Sequence, residues 1–194
     1  MCWPRPLSFY EAGLSNWPAI ARKIRVPLGF FFAAAYLWLA HPSPKSIVAG
    51  SVMVIPGLIL RGIASGFVQK NTQLTTAGPY AHTRNPLYLG SMILAAGFAV
   101  AARSLWIAVI LLALFLFIYI PVVRSEENFL RAHFPEFNDY ARRVPRFVPR
   151  LKTQQSGGGS FSPGLYWKHR EYNALLGTAL VMAALVGKLL WFAR

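Results

Sequence analysis

The sequence predicts an all-α, polytopic membrane protein with about five transmembrane helices. Three observations carry that prediction. Of 194 residues, 55% are hydrophobic and only 13% are charged, against about 25% charge in an ordinary soluble domain. The apolar residues gather into runs long enough to cross a bilayer, which takes ~17–25 residues of helix. Lys and Arg alternate between the polar connections: four before the first run, then one, three, one and nine. Cytoplasmic loops of membrane proteins collect such residues.

The first run covers 24–40 and has a basic flank of Arg22, Lys23 and Arg25. No small-x-small cleavage site follows, and "LAHPSP" reads as a turn, so this is a retained helix and not a removed leader. The second run, 47–67, contains Pro56. The third, 87–102, is short for a span. The fourth, 105–123, contains Pro121, and a proline inside a helix removes a backbone donor and kinks it. The fifth covers 173–192. The charge alternation places the N-terminus, the polar stretch around Arg84 and the segment 124–170 in the cytoplasm, with the C-terminus outside. Trp38, Trp106 and Trp191 then fall at outer membrane boundaries, where tryptophan prefers to sit.

The chain divides into a tail (1–23), two membrane helices (24–67), a central unit (68–152), a linker (153–170) and a further helix (171–194). "QQSGGGSFSPG" at 154–164 has the composition of a flexible linker. No strand precedes its glycine run and no GK[ST] closes it, so it is not a phosphate loop. The net charge of +14 would point to nucleic acid on a soluble chain. Here the basic residues flank apolar runs, membrane topology accounts for them, and no nucleic-acid partner is expected. The one cysteine, Cys2, rules out an internal disulfide. No metal site is expected.

Two segments are too polar to be plain connections. "GPYAHTRNPLYLG" covers 78–90. "EENFLRAHFPEFNDYARRVPRFVP" covers 126–149 and holds four of the six acidic residues: Glu126, Glu127, Glu136 and Asp139. Its first part continues the fourth helix, with Glu127 and Arg131 spaced to pair at i,i+4, until Pro135 interrupts it. Phe134, Phe137 and Tyr140 recur at helical spacing and can cap a cavity. If the third and fourth runs form a hairpin, Arg84, Asn85 and Tyr88 face Glu126 and Glu127 across its cytoplasmic end. Carboxylates facing an arginine and aromatics suit a small polar ligand with apolar parts. The plainer readings are an amphipathic helix with its arginines on lipid phosphates, an interfacial belt tyrosine at Tyr88 and a topology anchor at Arg84.

In this order and spacing, the two segments resemble the membrane-integral methyltransferases, a superfamily that includes isoprenylcysteine carboxyl methyltransferases and phospholipid methyltransferases. The resemblance covers about 72–149. It implies S-adenosylmethionine as methyl donor, bound without a Rossmann domain between the hairpin and the segment after it, at the cytoplasmic end of the hairpin. It also implies membrane lipids and a lipophilic methyl acceptor as partners, and a bacterial inner membrane as the location, with the active site facing the cytoplasm. Thr72, Gln73, Leu74, Thr75 and Tyr80 would line the cofactor pocket. The family's Arg-His-Pro-x-Tyr becomes Arg84, Asn85, Pro86 and Tyr88, with Leu89 beside them. Glu126 or its neighbour Glu127 would hold the polar end of the cofactor, and Tyr140, Val144, Pro145 and Arg146 would close the pocket. Arg84, Tyr88 and Glu127 are the candidate catalytic residues.

The chemistry of the cofactor gives each assignment a reason. A carboxylate accepts both ribose hydroxyls, an arginine receives the methionyl carboxylate, and an aromatic face steadies the sulfonium. Pro86 holds Asn85 extended. Two departures stand out. Asn85 replaces the usual His, which removes any proton-shuttling role for that side chain. Val122 stands where the carboxyl-methylating branch has an arginine four residues before the first glutamate. Two rivals remain: an NADPH-dependent membrane reductase of the sterol reductase type, disfavoured by the glutamate pair, and a non-catalytic membrane protein, which predicts charged residues inside the spans. Only Lys188 clearly lies within one.

Overall fold

The computed structural model describes residues 31, 33–69, 73–151 and 159–192. The expected tail, residues 24–30 and 32 of the first predicted span, Thr72 and residues 154–158 of the glycine-rich stretch lie outside the described residues.

Helix α1, Pro44–Phe67, starts where its sequence says it must. Ser43 is the N-cap, and Ser43 and Ser46 close a reciprocal capping box while Pro44 takes the first helical position, where a missing N–H costs nothing. Pro56 is carried inside it. A 3-10 turn at Gly78–Ala81 leads to α2, Pro86–Ala102. Arg103 ends α2 in the left-handed conformation at φ 52°. Helix α3 then runs without a break from Leu105 to His133. The short α4 (Phe137–Arg143), α5 (Pro163–Lys168) and the long α6 (Tyr172–Phe192) complete the order. Among the described residues there is no strand.

Among the described residues, three helices are long and apolar enough to cross a membrane: α1, α3 and α6, of 24, 29 and 21 residues. This is fewer than the five expected. At 17 residues, α2 is about 25 Å long at 1.5 Å per residue, short of a ~30 Å hydrocarbon core, and the first predicted span is described only from residue 31 onward.

The tightest seam is α1 on α2, which the expected hairpin of α2 and α3 did not anticipate. A Cβ on Gly50 would stand 2.6 Å from the Gly97 carbonyl oxygen, and one on Gly57 would stand 2.9 Å from that of Gly90. The two contacts lie seven residues apart on each helix, so one glycine face of each antiparallel helix lets the backbones touch, the small-residue packing that membrane helices use. The same register brings Arg61 over Gly90, where a Cβ would stand 2.7 Å from the Arg61 Cγ.

At the Arg103 end, Tyr36, Ala40, Ala101, Ala102, Ile107 and Leu185 form a buried cluster. Lys188 donates there to the carbonyls of Leu37 (2.6 Å), Trp38 (3.2 Å) and Ala40 (2.7 Å). Those are the open acceptors at the C-terminal end of the helical stretch 33–39, so this charge within a span has a structural partner. Trp38, Trp106 and Trp191 are exposed at the same end, consistent with one interfacial belt.

Pro121 does not interrupt α3. Phe115–Tyr119 winds as a π-helical turn, in which the Ile120 N–H reaches back to the Phe115 carbonyl. The wider turn absorbs the proline without a break in the helix.

Candidate functional site

The end of the molecule opposite the tryptophans is built by two stretches of backbone that zip together. Arg84 N–H donates to the Pro145 carbonyl (2.9 Å), Arg150 N–H to that of His82 (3.0 Å), and the Thr83 hydroxyl to that of Arg146 (2.9 Å). Gly78, at φ 57°, supplies the left-handed turn that starts the first stretch, and a Cβ there would stand 2.8 Å from the Phe67 ring. Tyr140 donates its hydroxyl to the Tyr80 carbonyl at 2.7 Å. Burial pushes both phenols up, so both stay neutral donors.

Glu127 lies at the centre of this junction, 3% exposed. Arg146 holds it in a fork, Nη2 to Oε2 at 2.7 Å and Nε to both oxygens at 3.1 Å, the bidentate geometry of the strongest charge-assisted pairs. Asn85 Nδ2 donates to Oε1 at 3.0 Å, and Arg84 Nη1 lies 3.5 Å from Oε2. The bond from Glu127 holds the Arg146 guanidinium above its ordinary value. The expected Glu127–Arg131 pairing is not the one formed. Burying a carboxylate requires strong donors, and Glu127 turns inward to two arginines, while Arg131 donates to Asn138 (3.0 Å) and lies 5.8 Å from the centre of the Phe137 ring. Asn85 caps nothing in α2; its amide goes to Glu127.

Beside this junction is a cavity of about 530 Å³. Of the residues expected at the site, Gln73, Leu74, Thr75, Tyr80, Arg84, Asn85, Pro86, Tyr88, Glu126, Glu127 and Tyr140 all line it. Four do not. Leu89 is one helical position on from Tyr88 and lines a separate depression with Leu60 and Pro149. Val144 and Pro145 stand outside the lining, the Pro145 carbonyl accepting from the Arg84 N–H. Arg146 reaches the site only through Glu127. Tyr88 meets Tyr119 edge-to-face, with ring centroids 5.9 Å apart, and Tyr119 comes from the π turn of α3. The Arg84 Nε is buried with no hydrogen-bond partner.

A second wall of the cavity was not anticipated. Arg61, Ser65, Ser91, His169 and Glu171 also line the cavity. Arg61 donates Nε to Glu171 at 2.6 Å and Nη1 to the Ser91 hydroxyl. His169 Nδ1 lies 3.0 Å from the Ser65 carbonyl. Ser162 N–H donates to the Gly66 carbonyl at 2.9 Å, and the Phe161 ring occupies the space a side chain on Gly66 would need. The described part of the expected linker therefore docks onto the end of α1 and carries α5. Arg170, left-handed at φ 55°, makes the turn that sets His169 and Glu171 on the cavity. Two signals were present in the sequence: Arg61 is a charge at the end of an apolar run, and Glu171 is an acid outside the acidic segment.

The fold and this cavity define the class: a helical membrane protein with a charged, aromatic-lined pocket at one end of its spans. The phospholipid methyltransferase family model matches residues 45–136, a little under half of the chain, so the middle of the chain is similar to the membrane methyltransferases. The match takes in α1, and it stops short of Tyr140 and Arg146. A stretch of 88 residues is 43% identical to the nickel-cobalt-cadmium resistance protein NccN of Alcaligenes xylosoxydans xylosoxydans, covering 45% of this chain and 41% of that protein. A stretch of 83 residues is 42% identical to the cobalt-zinc-cadmium resistance protein CzcN of Cupriavidus metallidurans, covering 43% of this chain and 38% of that protein. The matches thus span about two-fifths of the length of these curated relatives. No solved structure matches the chain.

Proposed function

We propose that the protein transfers a methyl group from S-adenosylmethionine to a lipophilic acceptor at the cytoplasmic face of the membrane. The observation that carries this reading is the meeting of the two polar segments around one cavity, within the part of the chain that resembles phospholipid methyltransferases. Its volume lies within the ~300–1,000 Å³ of ordinary small-ligand pockets.

The residues present fit the cofactor. Glu126 offers a carboxylate for the ribose hydroxyls. Arg84 keeps a buried Nε–H without a partner, a donor suited to the methionyl carboxylate. The faces of Tyr88 and Tyr119 suit a sulfonium. When bound, S-adenosylmethionine supplies an electrophilic methyl group. The protein's part is to align a nucleophile with that group and exclude water. We assign Glu127 to positioning, because its oxygens are committed to Arg146, Asn85 and Arg84. The π turn beside Pro121 puts Tyr119 on the cavity and leaves Leu116 and Phe117 exposed on the same helix, which supports an acceptor arriving from the bilayer. Val122, buried in place of an arginine, argues against a prenylcysteine carboxylate. The names of the two relatives speak of metal resistance in those proteins, and among the described residues no three His, Cys, Asp or Glu side chains form a group that could hold an ion.

The test is titration calorimetry on detergent-purified protein with S-adenosylhomocysteine and with NADPH. Binding of the first alone is expected. Binding of NADPH alone would replace this reading with that of a reductase.

A further inference from the structure

We infer that His169 is the general base of this site and that the acceptor carries a protic nitrogen or sulfur head. The inference rests on the methyl-transfer reading above. A carboxylate acceptor is already deprotonated at neutral pH and needs no base. A thiol or an amine has to lose a proton, and Asn85 cannot take it.

His169 lines the cavity. Its Nδ1 lies 3.0 Å from the Ser65 carbonyl oxygen. A carbonyl only accepts, so Nδ1 must carry the hydrogen. In the neutral ring that leaves Nε2 without one, as a proton acceptor with its tautomer fixed from behind. Two further features show that the position is built. Phe161 and Ser162 anchor the segment to the end of α1. Arg170 takes a left-handed backbone conformation that a non-glycine residue adopts only when its surroundings impose it. Glu171, on the same wall, neutralises Arg61, so that wall presents no net positive charge to repel an ammonium head. Both His169 and Glu171 lie outside the family-matched residues 45–136.

The step balances as follows. The acceptor N–H or S–H gives its proton to His169 Nε2. The new bond from nitrogen or sulfur to the methyl carbon forms as the carbon–sulfur bond of the donor breaks, and its electron pair stays on the departing sulfur. The imidazolium then releases the proton to water.

The experiment uses the full chain in detergent, tritiated S-adenosylmethionine, and dodecanethiol and dodecylamine as probes. His169→Ala should lower kcat about a hundredfold or more, with KM and S-adenosylhomocysteine affinity changed less than a few-fold. Added imidazole should restore part of the rate. His169→Gln keeps a donor for the Ser65 carbonyl; it should bind S-adenosylhomocysteine and remain slow. In the imidazole nitrogen NMR spectrum, the signal lost in His169→Ala should report an Nδ1–H tautomer and should move when S-adenosylhomocysteine is added. Wild-type rates in either variant, the opposite tautomer, or a rate loss that imidazole never rescues would overturn the role of His169 and leave the methyl-transfer reading standing. Wild-type protein that fails to bind S-adenosylhomocysteine would overturn both.

Discussion

Two charged clusters line the cavity, and they are built differently. Glu127 is almost fully enclosed, with Arg146 forked onto it, Asn85 donating and Arg84 alongside. Its partners come from the two polar segments that the sequence marks out. Glu171 makes one ion pair, to Arg61 at 2.6 Å, with side chains 23% and 11% exposed for Arg61 and Glu171 respectively. Its element comes from outside the family-matched region. The first cluster holds the two halves of the site together. The second adds to the lining a segment that lies beyond the family-matched residues. On the methyl-transfer reading proposed above, cofactor binding would fall to the first cluster and the choice of acceptor to the second.

The largest effect expected is at Glu127. Glu127→Gln removes the charge that both Arg84 and Arg146 face and leaves two guanidinium groups close together. Breaking a buried pair in this way typically costs about 3–5 kcal/mol. Thermal unfolding in detergent should show a large loss of stability, together with loss of S-adenosylhomocysteine binding. A stable, binding-competent Glu127→Gln protein would erase the contrast between the walls.

Glu126 is the next test. It lines the cavity, and we assign it the ribose. A hydrogen bond to a charged group is worth about 1.5–3 kcal/mol, so Glu126→Gln should weaken S-adenosylhomocysteine binding roughly tenfold or more. Equal calorimetric titrations for Glu126→Gln and wild type would reject that assignment.

What the sequence made legible follows from distance along the chain. Apolar runs and charge alternation are one-dimensional patterns, and α1, α3 and α6 were visible in them. The Arg84–Glu127 junction was visible because both segments are conspicuous on their own. The identity of the Glu127 partner was not, because an i,i+4 rule describes an exposed helix face, while burial demanded the fork that Arg146 provides. Arg61 and Glu171 are 110 residues apart, and His169 and Ser65 are 104 apart. Nothing local marks those pairs, and the glycine-serine run before them reads as a spacer. The α1–α2 seam was hidden in another way: its glycines are small residues in apolar runs, and only the pairing of two helices shows what they are for.

That seam positions both walls, so it offers a control that treats them alike. Gly97→Leu would push a side chain into the Gly50 carbonyl, where even a Cβ would stand only 2.8 Å away. Overpacking of this kind costs about 1–3 kcal/mol. Ligand affinity and acceptor preference should fall together with stability. A selective loss of one of them would mean that the walls are not carried by a common seam.

The smallest effect, and the most specific, is expected at Glu171. Glu171→Gln keeps an acceptor for the Arg61 Nε–H but removes the negative charge. The pair is partly exposed and Ser91 still holds Arg61, so the loss should be only about 1 kcal/mol, near the upper end for pairs open to solvent. Cofactor affinity should be unchanged if Glu171 serves the acceptor, as proposed. The acceptor preference should move, since Arg61 then presents an uncompensated positive charge to the cavity. Rates with a carboxylate-headed lipid should rise relative to those with a matched amine, by about fivefold if the full 1 kcal/mol is expressed in the choice between them. A paired transfer assay on dodecanoate and dodecylamine measures that ratio directly. An unchanged ratio together with weaker S-adenosylhomocysteine binding would move Glu171 to the cofactor wall and collapse the two clusters into one.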